Sequence, residues 1–235
     1  LEESLCKWFA KKIGFNDSSG GIAASGGTLS NLNALIAARN NAGLGSNPNS
    51  VLLISEDAHS SFIKCIRIMG LDEANLVRIK TDNQGRMDLN NLRKSLNKCL
   101  IENKKIFAIV ATLGTTVRGA IDPIKEISEI CKERNIWLHI DGSIGGIFAL
   151  SSIQIEGLNN INQANSITIN PQKIIGITKT SSLLLVANMN TLQKTFSTGL
   201  PYISSKEDIV NRGEIGIQGS RPAEVIKLWL GLRFL

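Results

Sequence analysis

The sequence predicts an α/β protein in which a mainly parallel sheet is flanked by helices. Two observations carry that expectation. Short β-branched or apolar runs alternate with amphipathic helical runs along most of the chain, the order that successive βαβ units produce. Several of the strand-like runs stop abruptly at Asp, Lys, Gly or Thr, and open α/β sheets gather their chemistry just past such strand ends. With no internal repeat and no low-complexity linker, the whole chain reads as one such unit.

Taken in order, residues 1–15 begin directly in an amphipathic pattern with Leu1, Leu5, Trp8, Phe9 and Ile13, an opening helix. Ser25-Gly26-Gly27-Thr28 then leads into Leu32, Leu35, Ile36 and Ala38, a Gly-rich turn feeding a helix with Thr28 placed to cap it. That turn is either an ordinary loop-to-helix junction or an anion seat. Two glycines let backbone N–H groups converge where the helix dipole favours negative charge. It matches neither the P-loop nor the dinucleotide-binding glycine pattern. Residues 41–50 are a turn-rich loop, 51–55 a buried-type strand running toward His59, and 62–69 a helix closed by Gly70. A short strand at 75–80 precedes Asp88, which is placed to cap a helix packing through Leu89, Leu92, Leu96, Cys99 and Leu100.

Residues 105–111 read as a central strand, followed by Thr112-Leu113-Gly114-Thr115-Thr116. Asp122-Pro123 is placed to open the next helix as N-cap and first turn, with Ile124, Ile127, Ile130 and Cys131 facing in and Asn135 ending it. The strand at 136–140 ends in Asp141 and the run Gly142-Ser143-Ile144-Gly145-Gly146. Another, Ser166-Ile167-Thr168-Ile169, stops at Asn170-Pro171 and is followed by Gln172 and Lys173. A last apolar strand covers 182–186. Residues 195–220, rich in Gly, Ser and charge, read as a mobile segment of the kind that forms lids.

Composition narrows the function. At 43% hydrophobic the chain can bury a core. The net charge of +6 admits an acidic ligand, but Lys and Arg are scattered and not interleaved with aromatics, which argues against nucleic acid. Cys6, Cys65, Cys99 and Cys131 are isolated and the chain has only two histidines, so neither a metal site nor a disulfide framework is expected, and a reducing, cytoplasmic setting is. No signal peptide or membrane span is visible. Both ends are apolar, down to Leu228-Trp229-Leu230 and Phe234-Leu235, which suggests an internal piece of a longer chain. The pair that points to catalysis is Asp141 and Lys173: a carboxylate and an amine on two strand ends can face each other across one pocket. His59, at a strand–helix junction, is either structural or placed to stack on a planar ligand.

Six motifs occur in a telling order. They are Ser25-Gly26-Gly27-Thr28 running into Ala38-Arg39, Ala58-His59-Ser60, Gly114-Thr115-Thr116 with Gly119-Ala120-Ile121-Asp122-Pro123, Trp137-Leu138-His139-Ile140-Asp141 with Gly145-Gly146, Asn170-Pro171-Gln172-Lys173, and Gly219-Ser220-Arg221 before Leu228-Trp229-Leu230. Together they resemble the pyridoxal-phosphate-dependent group II amino-acid decarboxylases, of the glutamate, aromatic-amino-acid and 2,4-diaminobutyrate type. The resemblance implies the large domain of the aminotransferase-like fold across 1–235, with an N-terminal segment and a C-terminal small domain outside it. It also implies a homodimer with sites at the interface and an L-amino-acid substrate losing its α-carboxylate. Lys173 would carry pyridoxal 5′-phosphate on its ε-amine, Asp141 would pair with the ring nitrogen, and His59 would stack on the ring. Gly26, Gly27 and Thr28 would seat the phosphate, and Thr115 or Thr116 would bond near the ring substituents. Ser143 falls where the family usually has an alanine under the ring. Arg221 would meet the substrate carboxylate or serve in a structural ion pair. Two residues depart from the pattern. Gln172 stands where the family usually has histidine before the lysine, and the family's proton-donating loop tyrosine has as its only counterpart Tyr202, upstream of the usual place. Another pyridoxal reaction (transamination, aldol cleavage or oxidative deamination) or a non-catalytic subunit are the alternatives those departures leave.

Overall fold

Strands buried on both faces need apolar residues at every position, and the runs at 51–54 and 183–186 supply them. The computed structural model describes residues 1–152, 155, 157–200 and 211–233. Among these, the strands are β1 (Gly20–Ala24), β2 (Ser50–Ser55), β3 (Leu76–Ile79), β4 (Lys105–Thr112), β5 (Trp137–Gly142), β6 (Ser166–Ile169) and β7 (Ser182–Val186). They form one sheet in the order β1-β7-β6-β5-β4-β2-β3. Pairings from β3 through β6 are parallel. β7 is antiparallel to both β6 and β1. The mainly parallel expectation holds, with one antiparallel strand set between β6 and the edge. β1 was not anticipated. Gly20-Gly21-Ile22-Ala23-Ala24 has no β-branched enrichment, and only its place beside β7 makes it a strand: a Cβ at Gly21 would lie 2.2 Å from the Leu184 carbonyl oxygen.

The helices are α1 (Glu2–Lys12), α2 (Gly27–Asn41), α3 (Ser61–Ile68), α4 (Leu89–Ile101), α5 (Ile124–Arg134), α6 (Pro171–Ile174), α7 (Met189–Phe196) and α8 (Val225–Leu232). On one face α1, α4 and α5 pack Leu5, Phe9, Leu92, Leu96, Ile127 and Ile130 against Val51, Leu53, Ile109, Leu138 and Ile140. On the other, α2 and α3 cover Leu52, Ile54, Ala108, Val110 and Trp137, while α2 also meets Leu184, Val186 and α7's Leu192. Strand alternation produces the division: even and odd positions of one strand belong to different cores.

Some local expectations hold and others are corrected. Asp88 caps α4, accepting from Asn91 N at 2.7 Å, and Asn135 ends α5 in the left-handed conformation at φ 52°. Leu100 is not on the packing face of α4; it is 73% exposed, because Cys99 takes the inward position and adjacent helix residues diverge by about 100°. Asp122 does not cap α5, whose N-cap is Pro123. Its carboxylate instead accepts from Met87 N at 2.6 Å and Thr112 N at 2.7 Å, tying the end of β4 to the loop before α4. Within 195–220, the described residues are anchored. Glu214 accepts from Ser197 and Thr198, and Asn33 of α2 accepts from Ile217 N. The remainder, 201–210 with Tyr202, lies outside the described residues.

Candidate active site

The cavity at the C-terminal ends of the parallel strands has a volume of about 180 Å³. Its walls come from separate elements. β4 supplies Thr112 and β5 supplies Asp141. The residues after β6 supply Asn170, Gln172 and Lys173, and the start of α2 supplies Gly27, Thr28 and Asn31. Loops add His59, Ser61, Gly114, Thr116, Ser143 and Ile144. Asp141 and Lys173, far apart in the chain, therefore line one cavity, because β5 and β6 are parallel neighbours in which Asp141 pairs with Thr168.

Asp141 is only 4% exposed. Its Oδ1 accepts from Ser143 N at 3.1 Å and its Oδ2 from Asn31 Nδ2 at 3.4 Å. Lys173 lies on α6, a single turn with Pro171 at its first position, and its backbone N–H donates to the Asn170 carbonyl at 3.0 Å. Proline there has no N–H to leave unsatisfied, so strand and turn can join without a linker. Gln172 beside it is engaged through Oε1, which accepts from Ser181 N at 2.6 Å. Asn170 closes the floor: Ser182 Oγ donates to its Oδ1 at 2.5 Å, and Ser30 of α2 joins through Ser182 at 2.8 Å.

His59 lines the cavity, with Nδ1 accepting from Ser61 N at 3.1 Å. The two threonines differ in position. Thr116 lines the cavity, whereas the buried Thr115 hydroxyl accepts from Ala120 N at 3.0 Å and closes its own turn. Gly26 is the N-cap of α2 and stands behind Gly27 and Thr28, which face the cavity. Arg221 is not among the lining residues. Its guanidinium donates to Glu2 Oε2 at 2.9 Å and to the carbonyls of Arg212 and Gln218, a structural ion pair. Burial raises the Glu2 carboxyl, but Arg221, the Ala23 N–H and Arg212 outweigh it and hold Glu2 below the usual range.

Asn31, Thr112, Ser61 and Asn170 were not singled out as site residues from sequence. The signal was present for Asn31, a polar residue on a helix whose neighbours Leu32 and Leu35 are core, and for the polar positions Trp137-x-His139-x-Asp141 and Ser166-x-Thr168 on buried strands. All five strand positions are at most 6% exposed. Alternation turns them to the α2 side, where His139 and Asp141 meet Asn31.

The model of the pyridoxal-dependent decarboxylase conserved domain matches residues 1–235, the full chain. The chain belongs to that family. It is 32% identical to an aromatic-L-amino-acid decarboxylase of Bacillus atrophaeus, over 99% of this chain and 49% of that protein. It is 31% identical to an acidic amino acid decarboxylase of Xenopus tropicalis, over 97% of this chain and 47% of that protein. Among solved structures, mouse CSAD superposes with a TM-score of 0.90 at 29% identity, covering 99% of this chain and 50% of that one. The chain thus spans about half the length of the curated relatives it matches, and its fold is that of the pyridoxal-dependent decarboxylases.

The family depends on pyridoxal 5′-phosphate, and the cavity of this pyridoxal-dependent decarboxylase chain fits that group on chemical grounds. Its donor set joins an amine, a carboxylate and an imidazole. Thr112 Oγ1 is a buried polar atom of a lining residue with no hydrogen-bond partner among the described residues. Gly27 keeps the start of α2 clear, since a Cβ there would stand 2.6 Å from Asn170 Nδ2 and 3.1 Å from Ser143 Oγ.

Proposed function

We propose that the full-length protein is a pyridoxal-phosphate-dependent carboxy-lyase that removes the α-carboxylate of an L-amino acid, releasing an amine and carbon dioxide. The observation that carries this reading is the convergence of Lys173 and Asp141 from adjacent strand ends into one cavity, in a chain matched along its whole length by the decarboxylase family model. When bound, the cofactor supplies an electron sink for the charge left on the substrate α-carbon. The chain's own residues hold and orient it. Lys173 would hold it through its ε-amine. Asp141 pairs with the ring nitrogen and keeps it protonated. His59 would stack on the ring, and Ser143 would line the same cavity. Gly27 and Thr28, with Gly26 behind them as N-cap, would present backbone N–H groups to the phosphate at the first turn of α2, where no side chain caps the helix. Thr116 bonds the ring substituents. Arg221 serves the fold, so the substrate carboxylate is met by another group. We extend the reading to a cytoplasmic homodimer whose large domain includes residues 1–235.

Gln172 is the observation that favours a second outcome. Its side chain is neutral at every accessible pH and is engaged by Ser181 N, so it supplies no proton beside Lys173. If Tyr202 is not the donor either, the decarboxylated α-carbon would be open to two-electron oxidation by dioxygen, which would leave as hydrogen peroxide while water hydrolysed the resulting imine to aldehyde and ammonia.

Two measurements test these statements on the full-length holoenzyme. Borohydride reduction and peptide mapping are expected to place the pyridoxyl group on Lys173; a label on Lys64 or Lys179 overturns the assignment. Amine formation assayed against ammonia, aldehyde and hydrogen peroxide separates the two outcomes, since carbon dioxide is released in both. Tyr202→Phe is expected to shift products toward aldehyde by the 10²–10⁴-fold typical of a lost general acid. An unchanged ratio removes Tyr202 from the mechanism.

A further inference from the structure

Behind Asp141 lies a continuous row of buried polar groups that the reaction itself does not consume. Trp137 Nε1 donates to Ser166 Oγ at 2.9 Å. Ser166 Oγ lies 2.8 Å from His139 Nδ1, and His139 Nε2 lies 3.1 Å from Asn31 Oδ1. Asn31 Nδ2 reaches Asp141 Oδ2 at 3.4 Å. Every member is at most 6% exposed.

The two ends of this row fix every proton in it. An indole N–H can only donate and a carboxylate oxygen can only accept. Asn31 must therefore turn its amide NH₂ toward Asp141, which leaves its carbonyl for His139. Only an Nε2–H can satisfy that carbonyl, so Nδ1 is the bare nitrogen of His139. Ser166 then donates its hydroxyl proton to Nδ1 and accepts the indole proton. All four bonds run one way, from Trp137 to Asp141, and a doubly protonated His139 has no place in them. Burial supports this, holding the His139 imidazole down at about 4 even though the Asp141 charge and the Ser166 backbone pull the other way.

We propose that Trp137, Ser166, His139 and Asn31 form a one-way hydrogen-bond relay that fixes the orientation of the Asp141 carboxylate and offers it only a donor from behind. His139 is a positioning residue that acts through Asn31. The inference rests on the reading of Asp141 as partner of the cofactor's ring nitrogen. A relay of this kind explains why a histidine sits fully buried on β5 two residues before the carboxylate, on the strand face that also carries Asp141.

The test compares His139→Gln with His139→Leu in the full-length protein. A glutamine amide can donate to Asn31 and accept from Ser166, whereas leucine fills the space and does neither. The readouts are the dissociation constant for pyridoxal phosphate, the division of any loss between kcat and KM, and the thermal midpoint of the cofactor-free protein. His139→Leu is expected to weaken cofactor binding and lower kcat by about 10–100-fold with KM little changed, and His139→Gln to stay within about threefold of the parent, as for other residues that orient a ligand from behind. Ser166→Ala, which removes the donor to Nδ1 with a smaller change of volume, is expected to fall between them. If leucine binds cofactor as tightly as the parent, or if both substitutions lose affinity only in proportion to a lowered thermal midpoint, His139 is packing and the relay is overturned. Asp141→Asn distinguishes the levels. An effect there with none from His139→Leu sinks the relay alone. No effect from Asp141→Asn on affinity or turnover sinks both the relay and the reading of Asp141 on which it depends.

Discussion

Asp141 concentrates the electrostatics of this site in one side chain. Both of its oxygens already accept a hydrogen bond from the protein, and it lines the cavity from the end of a buried strand. Asp141→Asn keeps the shape and removes the charge, and is expected to lower kcat/KM by about 3 kcal/mol, roughly a hundredfold. Steady-state kinetics on the full-length enzyme check it, and near-parental turnover would contradict the role. His139 makes a different prediction, about stability. Its folded-state value is depressed to about 4 from 6.5, so between those pH values the unfolded chain takes up a proton that the folded chain refuses. Stability from this residue is complete above pH 6.5 and declines as pH falls toward 4, by roughly 3 kcal/mol in all. Asp122 acts in the opposite sense. Burial raises it to about 6, against the two backbone N–H groups that favour its ionised form, so its contribution falls as pH rises from about 4 to 6. On lowering the pH from 7 to 5 the urea midpoint should therefore rise in His139→Gln, where only the Asp122 contribution remains, relative to the parent, where the loss from His139 offsets it. The same change of midpoint with pH in both proteins would show that His139 is not the group that titrates.

At the scale of elements, the site is made by close approaches that only small residues permit. A Cβ on Gly145, in the turn after β5, would lie 2.5 Å from the Leu113 carbonyl oxygen, and one on Gly142 would lie 2.9 Å from the Thr168 carbonyl oxygen. Both obstacles are backbone, which cannot rotate away. Gly145→Ala is expected to cost about 1–3 kcal/mol, the usual range for overpacking, and to weaken cofactor binding because the displaced Leu113 segment follows Thr112 of the lining. Chemical denaturation of the apo protein and cofactor titration together check this. Gly27→Ala tests the start of α2. Its obstacles are the side-chain ends of Asn170 and Ser143, which can shift. The expected outcome is a small stability change with a larger loss of cofactor affinity, the reverse of the balance at Gly145.

Across the whole molecule, the N-terminal helix is tied to residues late in the chain. Glu2 of α1 accepts from Ala23 N at 2.8 Å, pairs with Arg221 at 2.9 Å, and lies 3.4 Å from Arg212, which itself donates to the Gly21 carbonyl. The Arg221 side chain is 10% exposed and that of Glu2 20%, so solvent screens this network only in part. Arg221→Met is expected to lower stability by about 2 kcal/mol, below the 3–5 kcal/mol of a fully buried pair, while leaving KM for the amino acid unchanged. A raised KM with unaltered stability would return Arg221 to the substrate. Nearby, α1 and α8 leave an apolar recess of about 380 Å³ between Leu5, Trp8, Trp229 and Leu232. Trp8 is 40% exposed and Trp229 37%. Dye-binding fluorescence of the 235-residue chain is expected to exceed that of the full-length protein, and equal signals would argue that no further segment covers this recess.

Periodicity and strand endings were enough to read the alternating architecture, the six strands from 51 to 186 and the candidacy of Asp141 and Lys173, because each depends on local rules: alternation, capping, and where a run of apolar residues stops. The resemblance in the ordered motifs supplied the cofactor. Other features were decided by residues distant in the chain. β1 is a strand because β7 offers it an edge, and β7 runs antiparallel because of where the intervening segment returns it. Asp122 abandoned a helix cap for two backbone N–H groups on other elements, and Arg221 found Glu2 at the opposite end of the chain. His139 reads in sequence as a lone histidine in an apolar run. It acquires a tautomer and a direction only when β5, β6 and α2 are packed together, because a hydrogen bond between buried groups is defined by its partner, and the partners of His139 lie on other elements.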